Sequence, residues 1–247
     1  MQDDLMNHTA VIEGTTFIRD AVEYLWNEHR IPLVVAEVGS ALGNESSNAS
    51  LEAILGSALW QVDFSLYCMS INVAGINMQS GINFLFSLWR PKIEEKPGVI
   101  LPAFYGQIFT AEFVGAGSNV QVANMDLKTD FGSAYAAYEN GKLARIAIVN
   151  LNLWSRSEDG DDSRPFETFS LSVGSEVKSV KVKKLTSPKG GSATPNDQIT
   201  WGGMQWTYDN KGIGKQIVDD TEVLPVKNGQ VDIKVNESEA VIVSLQR

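Results

Sequence analysis

The chain has 247 residues, 43% of them hydrophobic and 20% charged, with 30 acidic side chains against 20 basic ones and a formal net charge of −10. That mixture is globular rather than disordered, and its acidic balance argues against a nucleic-acid partner and opposes an anionic membrane surface. One cysteine, Cys68, and two histidines, His8 and His29, exclude an intrachain disulfide, a thiolate metal cluster and a His-rich zinc or iron site.

Residues 1–10 are polar and read as a connection, with an acidic Met1-Gln2-Asp3-Asp4 where a signal peptide would be basic. Ile18, Ala21, Val22 and Leu25 share one helical face, predicting a helix from about Thr16 to His29 with Thr15 or Thr16 as its N-cap. The unbroken apolar run Ile31 to Val38 follows. It predicts a strand buried on both faces, as in a parallel sheet, with the single carboxylate Glu37 at its C-terminal mouth. In α/β barrels that mouth is where catalytic groups project. A Gly, Asn and Ser-rich loop covers 39–49, and Ser50 is the expected N-cap of a second helix carrying Leu51, Ile54, Leu55, Ala58, Leu59, Val62 and Leu66.

Phe64 to Trp89 has no charged residue, but its Asn, Gln and Gly content fits hydrocarbon poorly, so it reads as a helix end, a strand at Ile76 to Gln79 and an aromatic loop. Lys92 to Gly98 reads as a linker, and Pro102 to Val114 as a helix with Phe104, Ile108, Phe109 and Phe113 on one face. From about Ser118 short runs rich in Val, Ile, Tyr and Trp alternate with turn residues. Strands are expected at Tyr135 to Tyr138, Leu143 to Leu151, Phe169 to Val173, Val177 to Leu185, Ile199 to Trp201, Trp206 to Tyr208, Val231 to Val235 and Ala240 to Leu245. Asn140-Gly141 and Asn228-Gly229 are hairpin signals. This spacing predicts an antiparallel sandwich.

Four groups of residues resemble fungal members of glycoside hydrolase family 79, which includes β-glucuronidases and the heparanases. They are Leu5-Met6-Asn7-His8-Thr9, Ala36-Glu37-Val38-Gly39-Ser40, Gly56 to Phe64, and Gly81-Ile82-Asn83-Phe84 with Trp89-Arg90-Pro91. Ala134 to Tyr138, Leu143 to Asn150, Arg164-Pro165 and Ile199 to Gly203 are similar to the family's C-terminal β-domain. The resemblance implies an α/β plus all-β fold: the last part of a (β/α)8 barrel over 1–115, then an antiparallel β-sandwich over 116–247. It implies retaining glycoside hydrolysis with Glu37 as nucleophile, no cofactor, a carbohydrate partner and a secreted glycoprotein. It leaves the oligomeric state open.

The family's acid/base would lie on an earlier strand, so the chain is expected to be a C-terminal portion that is inactive alone. Family β-glucuronidases hold the sugar carboxylate partly with tyrosines, and the matching positions here are Leu42 and Phe84, which cannot donate. A less polar glycoside is the expectation that follows. Gly43, Gln79 and Asn83 join these as candidate substrate-binding residues, Asn77 and Gln79 standing where related enzymes carry histidines. His8 reads either as a sugar-site residue or as a surface histidine. Phe84, Phe86 and Trp89 suit either a sugar-stacking wall or core packing, and Trp201 and Trp206 are expected in the sandwich core. Asp159 to Asp162 reads as a solvated loop or a calcium site. The alternative function is a non-catalytic carbohydrate-binding or accessory β-sandwich protein.

Overall fold

A computed structural model describes residues 1–40, 49–82, 84–157 and 163–247. Asn7 opens the chain's first helix, α1 (His8–Gly14), its Oδ1 accepting from the Ala10 N–H at 3.0 Å. Residues 1–10 are therefore not all connection; α1 is two turns long, too short to show a period. α2 (Thr16–Tyr24) follows at once, with Ile18 and Val22 buried as the spacing predicts. Thr15 does not cap it, because its hydroxyl donates backwards to the carbonyls of Val11 and Ile12. The helical pattern ends in a π-turn over Leu25–His29, and Arg30 reverses the chain at φ 56°.

β1 (Val34–Val38) and β2 (Gly75–Met78) form a two-stranded parallel sheet, bridged by α3 (Leu55–Ser70). Ser50 is not the N-cap of α3: Ala49–Ala53 is a 3-10 turn, and Ile54 occupies the cap position without a side-chain bond. The first amides of α3, from Leu55 and Gly56, donate instead to the carbonyls of Ala193 and Gly191, both at 2.9 Å. A Cβ on Gly56 would come within 2.9 Å of the Met6 sulfur, so the glycine permits this close approach. β3 (Trp89–Arg90) and β4 (Val99–Ile100) make a small antiparallel ribbon, and α4 (Ala103–Val114) packs beside α3. Phe109 and Phe113 of α4 are fully buried. Among the described residues no helix is long and apolar enough to cross a membrane.

The rest is sheet. β5 (Val120–Asn124), β6 (Gly132–Glu139), β7 (Lys142–Asn150), β8 (Phe166–Ser172), β9 (Ser179–Thr186), β10 (Thr200–Trp201), β11 (Met204–Gln205), β12 (Lys215–Gln216), β13 (Thr221–Pro225), β14 (Gln230–Asn236) and β15 (Glu239–Gln246) follow in order. Nine of them build one sheet in the order β12-β11-β10-β9-β15-β7-β6-β5, with β13 also paired to β9. β8 and β14 form a separate antiparallel ribbon. Asn140-Gly141 and Asn228-Gly229 turn with both residues at positive φ (51° and 76°, 53° and 75°), the pair of left-handed residues that a type I′ hairpin needs. Trp206 to Tyr208 is not a strand; pairing ends at Gln205, and Trp206 packs edge-on against Tyr105.

The period of two along the strands divides the large sheet between two cores. Tyr135, Ala137, Ala147, Val149, Leu185, Trp201, Ala240 and Ile242 face α3 and α4 in one apolar cluster that begins at Met6. Ala134, Ile146, Ile148, Val180, Val182, Val241 and Val243 face the ribbon and meet Leu171, Val231, Ile233 and Val235. Burying a side chain of this size contributes roughly 1.5–3 kcal/mol, so both layers matter to the sheet. On the helix side, the Glu112 carboxylate of α4 accepts from Trp201 Nε1 at 2.7 Å and from Lys183 Nζ at 2.8 Å, tying helix to sheet by a polar contact as well.

Candidate functional site

β1 was expected to be buried on both faces, and it is not. Val34 and Ala36 are exposed, because β2 is its only strand neighbour among the described residues and one face of the pair is uncovered. The pairing also contains an irregularity. Val35 sits opposite Ile76 and Val38 opposite Met78, so β1 advances three residues while β2 advances two. The extra residue falls at Ala36–Glu37, a β-bulge, the device that re-aims a side chain at the end of a strand. Val35 and Val38 consequently both lean on the main core. Glu37 is exposed, and among the described residues its carboxylate has no hydrogen bond or ion pair.

The strand ends carry the remaining features. The Gln79 N–H donates to the Val38 carbonyl at 2.8 Å, which sets Gln79 beside the end of β1. Ser40 and Ser57, both buried, share a 2.5 Å hydrogen bond that ties the end of β1 to the first turn of α3. The segment after β2 is closed by Ser87, whose Oγ accepts from the Gly81 N–H and donates to the Gly81 carbonyl, both at 2.9 Å. Within that closed segment the rings of Phe84 and Phe86 stack at 5.0 Å and 16°. A Cβ on Gly39 would come 2.6 Å from the Phe86 ring, and one on Gly81 would come 2.7 Å from the Phe84 ring. Glycine at both strand ends thus lets the aromatic pair lie against the backbone beside Glu37. Phe86 is buried, while Phe84 is 39% exposed and offers an apolar face without a hydroxyl.

Glu37, Gln79 and Phe84 are therefore brought to one end of the two-stranded sheet. Leu42, Gly43 and Asn83 lie outside the described residues, as does the Asp159 to Asp162 loop. His8 is placed elsewhere. It is 5% exposed, not on the surface, and its Nδ1 stands 3.0 Å from Asp63 Oδ2, while the Tyr135 hydroxyl donates to Asp63 Oδ1 at 2.5 Å. One buried carboxylate so joins α1, α3 and β6. Burial pushes the Tyr135 hydroxyl well above 10, the Asp63 charge adding to it, so this phenol stays a neutral donor. The sequence signal for this network was an aspartate inside the apolar stretch Leu59 to Leu66.

Trp89 is half exposed on β3 and Trp201 is core, while Trp206 is half-buried. The Cys68 thiol is fully buried and pushed up to about 12 by that burial, so it is an inert filler. Among the described residues no three His, Cys, Asp or Glu side chains are grouped to hold a metal ion.

Residues 134–242 match the model of the glycosyl hydrolase family 79 C-terminal beta domain. A β-glucuronidase of Aspergillus niger is 31% identical over 262 residues, an alignment spanning 99% of this chain and 48% of that protein. A β-glucuronidase of Neurospora crassa is 29% identical, over 86% of this chain and 43% of its own length. The chain thus spans about half the length of the curated relatives it matches. Among solved structures, a 4-O-α-L-rhamnosyl-β-D-glucuronidase of Fusarium oxysporum superposes with a TM-score of 0.83 at 20% identity, over 99% of this chain and 50% of that one. A family 51 α-L-arabinofuranosidase of Thermotoga petrophila superposes at 0.61 with 13% identity, over 97% of this chain and 48% of that one. These likenesses show the fold of the chain.

Proposed function

We propose that the chain is the C-terminal portion of a secreted retaining β-glycosidase of family 79, with Glu37 as its nucleophile. In this reading residues 1–115 are the last strands and helices of a (β/α)8 barrel, β1 and β2 being two neighbouring barrel strands, and 116–247 is the C-terminal β-sandwich. The observation that carries it is the position of Glu37: a free, exposed carboxylate on a bulge at the C-terminal end of a parallel strand, next to an ordered aromatic pair. In the reaction, Glu37 attacks the anomeric carbon as the glycosidic C–O bond breaks. A second carboxylate, about 5–5.5 Å away, protonates the leaving oxygen, and water then hydrolyses the glycosyl ester. The second carboxylate comes from residues outside these 247.

The substrate follows from Phe84. A uronate carboxylate loses several kcal/mol if it is dehydrated without donors, and the Phe84 ring supplies none. An O-methylated uronoside or a neutral glycoside fits this wall better than a free glucuronide, with Gln79 as the polar contact, joined by Leu42, Gly43 and Asn83.

The test is covalent trapping. A version extended to the length of the relatives, treated with a 2-fluoro glycoside and digested, carries the label on the peptide containing Glu37; a label on any other peptide overturns the assignment. The 247-residue chain alone does not hydrolyse an aryl β-glycoside, and turnover by it would overturn the need for a second carboxylate from elsewhere.

A further inference from the structure

On the face of the large sheet away from the helices, β9, β10 and β15 end in a cleft of about 260 Å³, lined by Lys184, Gln198, Thr200, Asp220, Asn236 and Glu239. Lys184, Thr200 and Glu239 reach this side by strand alternation, in register with Val182, Val241 and Val243 of the ribbon-facing core. Glu239 is the unusual member. It is 1% exposed, yet among the described residues its carboxylate forms no ion pair; it accepts from the Asn236 N–H at 3.2 Å and from Asn236 Nδ2 at 3.0 Å, and Arg164 and Lys184 act on it only as charges at longer range. A buried carboxylate ordinarily fills its acceptor positions or contacts a cation, whereas Glu239 faces the cleft with acceptor positions to spare and no cation at hydrogen-bonding distance among the described residues.

The wall behind it is built rigidly. Arg164 donates to the carbonyls of Glu237, Ser238 and Ser187 and to the Thr186 hydroxyl, and its guanidinium lies 5.1 Å from the Trp154 ring. These contacts take up four of the five Arg164 N–H donors. Around the cleft, however, capacity remains. Among the described residues Asp220 accepts one bond, from Thr200 Oγ1 at 3.3 Å, Lys184 gives one of its three protons to Glu222, and the Gln198 amide makes no side-chain bond.

From this geometry we propose that the cleft binds one neutral sugar unit through its hydroxyls. Each sugar hydroxyl both donates and accepts, which matches a lining with spare acceptors on Glu239 and Asp220 and spare donors on Lys184 and Gln198. The volume lies just below the range of drug-sized sites and suits a single ring rather than a chain. The charges select against a uronate: the three carboxylates of Asp220, Glu239 and Glu222 outnumber the two cations Lys184 and Arg164 around the cleft, and Lys184 is paired with Glu222.

The proposal does not depend on Glu37, and its test separates the two. In an amide NMR titration of the 247-residue chain, methyl β-D-glucopyranoside gives saturable shifts confined to 184–188, 198–200, 218–220 and 236–239, and Glu37→Gln titrates identically. Gln198→Ala and Asp220→Asn each weaken binding by about tenfold or more, with the thermal midpoint and the remaining amide shifts unchanged. Methyl β-D-glucopyranosiduronate, of the same size but anionic, gives no saturable shift there. Absence of saturation with the neutral glycoside, shifts centred elsewhere, equal binding of the uronide, or wild-type affinity in both variants overturns the assignment.

Discussion

Ile31 to Val38 and Ala240 to Leu245 are apolar runs of similar composition that end in different surroundings. β15 lies between β7 and β9, with helices on one face and the β8–β14 ribbon on the other, and Ala240 to Val243 are at most 1% exposed. β1 has one strand neighbour and one uncovered face, and Val34 is 51% exposed. An apolar run states that a segment is made to be buried; its neighbours decide whether it is. The same contrast holds for the carboxylates of the two regions. Asp63, between helix and sheet, is wholly enclosed and holds two partners, whereas Glu37 at the end of β1 holds none among the described residues.

The sharpest way to break that contrast is to delete each carboxylate in turn. Asp63→Ala leaves the buried His8 ring without its carboxylate and the Tyr135 hydroxyl with only the residue 63 backbone carbonyl at 3.2 Å, and removal of one partner from such a buried pair costs about 3–5 kcal/mol. Glu37→Ala removes an exposed group without bonds and stays within about 0.5 kcal/mol. Equilibrium urea unfolding followed by tryptophan fluorescence measures both. Equal midpoint shifts in the two variants would mean that Asp63 does not join α1, α3 and β6 as described.

A second comparison uses the strands themselves. Ile242 of β15 is 1% exposed in the helix-facing core, and Ile242→Ala costs about 2–5 kcal/mol in lost transfer energy and residual cavity. Val34→Ala, at a half-exposed position on β1, costs no more than about 0.5 kcal/mol in the isolated chain. If β1 belongs to a larger barrel, the same Val34 substitution becomes costlier in a version extended to the relatives' length. Unfolding midpoints of four proteins, two variants in two lengths, give the answer. An unchanged cost at Val34 in the longer chain would count against β1 as an interior barrel strand.

Much of this was legible in the sequence, and the exceptions share a cause. The helical spacing of Ile18 and Val22, the long apolar span of α3, α4 after Pro102 and the two Asn-Gly turns are local signals, and local rules decide them. The bulge at Ala36–Glu37 is a property of the pairing between β1 and β2, so β1 alone could not show it. β5 and β13 are short edge strands with exposed polar positions, weak against the turn residues around them. β14 and β15 are separated only by Glu237 and Ser238, yet they belong to different layers, the chain crossing over at Ser238, which is fully buried at φ 55°. The strand-end carboxylate was found from pattern because charge at the end of an apolar run stands out. His8 was misplaced because nothing local shows that Asp63, 55 residues later, would meet it in the core.

The last expected effect is a pH dependence from that same pair. Burial by itself would pull the His8 imidazole down, but the hydrogen bond and charge of Asp63, with a smaller contribution from Asp126, outweigh burial and hold it above 6.5. The folded chain therefore binds this proton more tightly than the unfolded chain, whose imidazole titrates near 6.5. The stabilisation is complete below about pH 6.5 and is lost as pH rises through the higher folded-state value. The thermal midpoint is expected to fall between about pH 5.5 and 8.5, and His8→Asn, which keeps a donor toward Asp63 but cannot gain a charge, flattens the fall. A midpoint that rises across this window, or one that falls as steeply in His8→Asn, would show that the Asp63 pair does not control it. The slope thus reports on the interior contact between helix and sheet.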